Sequence, residues 1–188
     1  MPRILIVFGT TDGHTARIAS AIGDAVSDAG DIASVFALPM EVPDPGRYDA
    51  VIVAASVHRG LFQRPVAKWV LAHAQRLNAM PTAFVSVSLG ILQHDPAVRA
   101  EVESIVTRFL DGTGWRPTAR LGVAGALLYT HYSWLTRLVM RRIARKAGGD
   151  TDTTRDYVYT DWAALRHFVD GFARRVEAAV EVRAPALV

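Results

Sequence analysis

At 188 residues, with 51% apolar and 21% charged side chains, the chain has the composition of a soluble globular protein long enough for a substantial core. It holds no cysteine, which excludes disulfides, thiolate metal sites and thiol nucleophiles. The formal net charge of +3 is unevenly spread: residues 132–147 carry Arg137, Arg141, Arg142, Arg145 and Lys146 with no acid, and removing those five from the 21 basic residues leaves 16 against 18 acids. The excess is therefore a local patch and not a general surface for nucleic acid.

No apolar run reaches the roughly 18–20 residues of a membrane span. Met1-Pro2-Arg3 leads straight into a strand too short for a signal peptide, so a cytoplasmic location is expected. Residues 3–175 are expected to form one domain, with 181–188 as a frayed tail.

The chain opens on an apolar strand, Arg3–Phe8, followed by Gly9-Thr10-Thr11-Asp12-Gly13-His14-Thr15. Ala16, Ile18, Ala19, Ile22, Ala25 and Val26 then recur at helical spacing, closing near Ala29-Gly30. A buried strand, a hydroxyl-rich loop and a helix in that order make an anion site. The first N–H groups of a helix lack intrahelical acceptors, the helix dipole adds positive potential, and glycines allow close approach. The loop has no lysine, so it is not a nucleotide-hydrolysing P-loop, and it is not G-x-G-x-x-G. It is suited to holding a phosphate and not to transferring one.

Ile32–Ala37 reads as a second strand, residues 39–46 as a Pro-rich turn, and 49–55 as a third strand that is apolar on both faces. Helix 65–78 follows, with Val66, Trp69, Val70 and Leu77 inward; Thr82–Val87 is strand four and 96–111 a helix. Arg120–Ala126 reads as strand five, and a last helix is expected from Asp161 to Val180. Alternating strands and helices predict an α/β, doubly wound, five-stranded parallel sheet of order 2-1-3-4-5, with an insertion after strand five. Ligands of such sheets sit at the carboxyl ends of the strands, where the loops after strands one, three and four converge.

A strand followed by Thr10-Thr11-Asp12-Gly13-His14-Thr15, in a chain of this size and rhythm, resembles the flavodoxins. Asp12 stands where the general pattern has threonine. It is similar in this to the flavodoxin-type, quinone-dependent protoporphyrinogen oxidases of bacteria. The stretches Arg76–Phe84, Trp115-Arg116-Pro117, Ala124–Leu127, Gly148–Thr153 and Tyr159–Trp162 carry the same resemblance. The turn Leu89–Pro96 departs from it, being shorter and less basic.

The resemblance implies FMN as cofactor and an enzyme of haem biosynthesis. It would take protoporphyrinogen IX to protoporphyrin IX in three two-electron oxidations, with menaquinone or ubiquinone as acceptor. Thr10, Thr11, Asp12, Gly13, His14 and Thr15 would hold the phosphate, with His14 using its backbone N–H and not its ring. Ser56, Val57, His58, Arg59, Gly60 and Leu61, with Ser86, Val87, Ser88, Leu89 and Gly90, would flank the flavin ring. No side chain is assigned a catalytic role, because flavin carries the redox chemistry itself.

Residues 127–149 are the insertion. If 133–147 is helical, Leu135, Val139, Met140, Ile143 and Ala147 fall on one arc, and the five cations fall on the other with Trp134 and Leu138 among them. Tyr129, Tyr132, Trp134, Arg137, Arg141 and Arg145 are expected to meet either an anionic membrane surface or the porphyrinogen, which would place the protein peripherally on the inner face of the cell membrane. The alternative is a core-packed helix with a solvated basic back, in which Tyr129 and Tyr132 simply pack the insertion. A flavodoxin-like electron carrier and an NAD(P)H:quinone reductase remain the competing readings, and homo-oligomerisation is left open.

Overall fold

The computed structural model describes residues 1–93, 95–131, 134, 137, 138, 141, 142, 145 and 149–183. Five parallel strands, β1 (Arg3–Gly9), β2 (Ile32–Ala37), β3 (Ala50–Ser56), β4 (Thr82–Val87) and β5 (Ala119–Val123), lie in the order 2-1-3-4-5. β1 sits at the switch point, with Ile4 against both Ala33 and Ala50. The period-two geometry of a strand divides its apolar residues between two cores. Ile4 and Ile6 face α1 (His14–Asp28) and the C-terminal helix α4 (Trp162–Arg183), whereas Leu5 and Val7 face α2 (Arg64–Leu77) and α3 (Pro96–Thr113). Both cores need filling, which is why the central strands read as continuous apolar runs.

α1 buries Ile18, Ala19, Ile22, Ala25 and Val26, five of the six residues that its spacing singled out, and Ala16 is half-buried. α3 begins at Pro96, where a missing N–H costs nothing, and ends at Gly114 in the left-handed region. Trp115 then enters the second core, donating Nε1–H to Thr82 Oγ1 at 3.1 Å.

Two boundaries differ from the expected ones. Strand five does not run to Ala126. It leaves the sheet after Val123, and β6 (Ala126–Leu127) pairs antiparallel with β7 (Tyr157–Val158) in a separate ribbon. The Ala124 carbonyl, which would have continued the ladder, accepts from the Thr160 hydroxyl at 2.7 Å. Helix α4 also continues three residues past Val180, to Arg183. The physical reason is the absence of any breaker before Pro185.

The described residues within 134–145 are helical. The apolar arc predicted there, Leu135, Val139, Met140, Ile143 and Ala147, lies outside the described residues, as do Tyr132 and Lys146. No helix among the described residues is long and apolar enough to cross a membrane.

Candidate flavin site

The loop between β1 and α1 is built for an anion. Gly13 caps α1 with φ at 86°, a left-handed conformation that costs L-residues energy, and its N–H donates to Thr10 Oγ1 at 2.9 Å. Thr10 thus accepts from the loop and keeps its own O–H to donate outward. The backbone N–H groups of Thr11, Asp12, His14 and Thr15 have no acceptor among the described residues, and no acid lies in the first turn of α1. Asp12 is exposed and forms no hydrogen bond among the described residues, so it is solvated and not buried beside the anion position. These free donors suit the phosphate of a bound nucleotide.

The loop is fixed from two sides. On the α2 side, Gln63 Nε2 donates to Ser56 Oγ at 2.6 Å and reaches Thr11 Oγ1 at 3.3 Å. On the α4 side, the His14 ring is buried, only 6% exposed, and its Nε2 meets Thr160 Oγ1 at 2.7 Å. Thr160 gives its single hydroxyl hydrogen to the Ala124 carbonyl, so toward His14 it can only accept, and Nε2 carries the ring proton. Burial, and secondarily the charge of Arg17, hold the His14 pKa below the ordinary histidine value, which favours the neutral ring. Trp162 packs edge-on at 6.1 Å. The ring therefore clamps the loop to the segment returning from the insertion.

The other strand ends are joined in sequence. Val57 N–H donates to Val87 O at 2.8 Å, and Ser88 N–H to Val123 O at 3.0 Å. With Thr11–Gln63–Ser56 and Ala124–Thr160–His14, these bonds run around the carboxyl end of the sheet and return to the loop where they began. The β1, β3 and β4 loops thus meet at one rim.

His58–Leu61 is a tight reverse turn closed by reciprocal bonds at 2.8 and 3.2 Å, with Arg59 and Gly60 both at positive φ (52° and 77°). His58 and Arg59 are exposed, and Leu61 presents its apolar side chain to solvent, 70% exposed. Ser88 accepts from Gly90 N–H at 3.1 Å, opening a 3₁₀ turn over Leu89–Leu92. Ser86 is not at this rim. Its side chain faces α3, lining a cleft between that helix and β5.

Tyr129, expected at a ligand or membrane contact, has no exposed surface to offer one. It is completely buried, its hydroxyl donates to Asp150 O at 2.8 Å, and it packs with Leu127, Leu89, Tyr157 and Tyr159. Tyr159 donates to Asp150 Oδ2 at 2.5 Å, and burial together with that carboxylate pushes its phenol pKa up. The ribbon thus buttresses Leu89, on the β4 turn. Trp134 and Leu138 are exposed at 77% and 57%, and Arg141, Arg142 and Arg145 are exposed; positions 134, 138, 141 and 145 share one helical face. Arg137 is half-buried and donates from Nε to Tyr129 O at 3.0 Å.

Reading the sequence alone missed Gln63 and Thr160. Gln63 directly precedes Arg64-Pro65 at the start of a helix, a position for a capping residue; Thr160 lies inside the Tyr159–Trp162 motif.

Residues 5–154 match the flavodoxin domain family. In overall fold the chain is similar to a short-chain flavodoxin associated with a non-canonical PDU bacterial microcompartment (TM-score 0.59, 12% identity, covering 94% of this chain and 99% of that one). A flavodoxin of Streptococcus pneumonia TIGR4 gives a TM-score of 0.55 at 17% identity, covering 94% of this chain and 99% of that one. The chain belongs to the flavodoxin family. Its curated relatives include the protoporphyrinogen IX dehydrogenase [quinone] of Escherichia coli (strain K12), 37% identical over 170 residues, 88% of this chain and 92% of that protein. The protein of the same name from Leishmania major is 34% identical over 177 residues, 92% of this chain and 75% of its own length.

The neutral His14 ring has a pH consequence. Its pKa is lowered by folding, so the stability it confers is fully present above the unfolded value near 6.5 and is lost as pH falls through the folded value. Urea unfolding at closely spaced pH should show stability falling below pH about 6.5 in the wild type. In His14→Gln that segment should be flatter, and an equal slope in both proteins would contradict the assignment.

Proposed function

We propose that this protein oxidises protoporphyrinogen IX to protoporphyrin IX, with FMN as its resident cofactor and menaquinone or ubiquinone as electron acceptor. The observation that carries the reading is the row of N–H groups opening α1 that have no acceptor among the described residues, in a chain related over most of its length to quinone-dependent protoporphyrinogen IX dehydrogenases. When bound, FMN supplies the two-electron chemistry that no side chain of this protein provides.

The chain's own residues bind and orient. Thr11, Asp12, His14 and Thr15 offer backbone N–H groups to the phosphate, Gly13 shapes the turn that presents them, and Thr10 adds its hydroxyl. Gln63 and Thr160 hold that loop in place. Val57–Leu61 and Ser88–Gly90 border the ring position, where Leu61 contributes apolar surface that would otherwise face water. Glycine at position 60 and the turn geometry bring peptide groups to that border.

Anaerobic incubation of FMN-loaded protein with protoporphyrinogen IX and a soluble quinone, scored by porphyrin fluorescence, is expected to show quinone-dependent porphyrin formation. Fluorescence no greater than that of a protein-free control refutes the substrate assignment. NADH-driven quinone reduction without porphyrin formation would instead select the NAD(P)H:quinone reductase reading.

The exposed face of Trp134, Leu138, Arg141 and Arg145 suits an anionic lipid surface, where a lipid-soluble quinone is found. Replacing Arg141, Arg142 and Arg145 with Gln should weaken sedimentation with anionic vesicles by about 1 kcal/mol per cation near the surface. FMN affinity should be unchanged. Equal sedimentation of variant and wild type would remove the lipid role.

A further inference from the structure

The loop of residues 9–15 contains no lysine or arginine, and with the His14 ring neutral its one charged side chain is Asp12. A phosphate monoester carries about −1.5 to −2 charges near neutral pH. The N–H groups that open α1 offset part of this, because the helix dipole supplies roughly half an elementary charge at that end. The loop itself holds no full counter-charge, and the nearest cation along the chain is Arg17.

Arg17 lies three residues after His14 in α1, and so on the same face of the helix. Helical side chains lean toward the N-terminus, which carries a long one back over the preceding turn, here the turn that begins at the loop. The Arg17 guanidinium sits over the Trp162 ring at 6.0 Å from its centroid, and that ring also packs against His14, with centroids 6.1 Å apart. Its charge is felt at His14, where it comes second to burial in lowering the histidine pKa. The guanidinium is therefore held by an aromatic face beside the first residue of α1.

Its hydrogen-bonding capacity is unspent. Among the described residues Arg17 has no ion pair and no hydrogen bond, and Asp12, exposed, is not paired with it. Arg166 is the contrast: at the far end of α1 it is engaged with Asp28 at 2.9 Å. Stacking on a ring leaves the N–H donors at the edge of the guanidinium plane free, and that edge is what arginine presents to phosphate oxygens.

We propose that Arg17, positioned by Trp162, is the counter-charge of the bound flavin phosphate and a determinant of the preference of this site for FMN over riboflavin. This rests on the flavin site proposed above. Arg17 is exposed, so its attraction is open to screening, over a length of about 8 Å at physiological ionic strength. Preference for the phosphorylated flavin should accordingly depend on salt.

The test titrates the full-length protein, freed of flavin, with FMN and with riboflavin, followed by flavin fluorescence. Arg17→Gln should weaken FMN binding about five- to tenfold at low ionic strength and leave riboflavin binding within about twofold. Added salt should narrow the gap between wild type and Arg17→Gln, and Arg17→Lys should keep part of the preference. Trp162→Leu should cost FMN a smaller factor, which Trp162→Phe restores by keeping a ring face. In the Arg17→Gln background, Trp162→Leu should not lower the FMN-to-riboflavin ratio further, whereas a merely structural Trp162 would act with or without Arg17. Arg64, exposed beside Gln63 on the α2 side of the loop, controls for a general positive field, and Arg64→Gln should leave the ratio unchanged.

If wild type prefers FMN and Arg17→Gln keeps that preference in full, Arg17 is only a solvated side chain lying on Trp162; the proposal fails and the flavin site stands. If Arg64→Gln lowers the ratio as much as Arg17→Gln, the field is diffuse and the assignment to Arg17 is overturned. If wild type binds neither flavin, the site is refuted and the proposal with it. Both arginines are exposed, so their variants keep the test informative even if Trp162→Leu folds poorly.

Discussion

Thr160→Val is expected to destabilise the protein by about 2–4 kcal/mol and to weaken flavin binding by about tenfold or more. Valine matches threonine in shape, so packing is preserved and only the hydroxyl is lost. That hydroxyl serves two buried groups at once, donating to Ala124 O and accepting from His14 Nε2, each at 2.7 Å. Removing it strands both, and an orphaned buried polar group costs about 1–3 kcal/mol. The effect on FMN follows from position: His14 is the first residue of α1, and its ring holds the loop to the segment entering α4. Thr160→Ser restores the hydroxyl and should recover most of both losses. Equal melting temperature and FMN affinity in the Val and Ser variants would show that the bond has no consequence for the loop.

Gly9→Ala is expected to cost about 1–3 kcal/mol and to lower FMN affinity, and Val66→Ala in the same chain should return part of both. The reason is steric. Gly9 ends β1 where the start of α2 crosses it, and a Cβ there would collide with the Val66 side chain and meet Gln63 Oε1 at 3.3 Å. Relief requires α2 to shift, which carries Gln63 away from Thr11 and Ser56 and loosens the loop. Truncating Val66 removes the collision at its source, although it also leaves a cavity of its own. A double variant whose loss equals the sum of the two single losses would mean that these side chains are not coupled.

Much of the fold was legible in the residues. Ile4–Val7 and Val51–Ala55 are apolar on both faces, which only a doubly covered parallel strand needs, and the spacing of Ile18, Ile22 and Val26 matches the buried stripe of α1. The free N–H donors of the loop after β1 were legible because they are local, set by its own glycines and hydroxyls and by the start of α1. The β6–β7 ribbon was not, since each strand has two residues and no period can be read from two. Tyr129 looked available for contact, yet its hydroxyl is taken by the Asp150 carbonyl, 21 residues away. Ser86 looked like a rim residue because it stands next to the end of β4, but strand alternation points it to the α3 side, where Phe84 also lies.

The parallel sheet was therefore readable from the chain, as was the glycine- and hydroxyl-rich character of its first loop, because each depends on residues close together. Only the tertiary structure decided what holds the loop. Gln63 reaches it from 52 residues away and Thr160 from 146, and contacts at such separations leave no periodic trace.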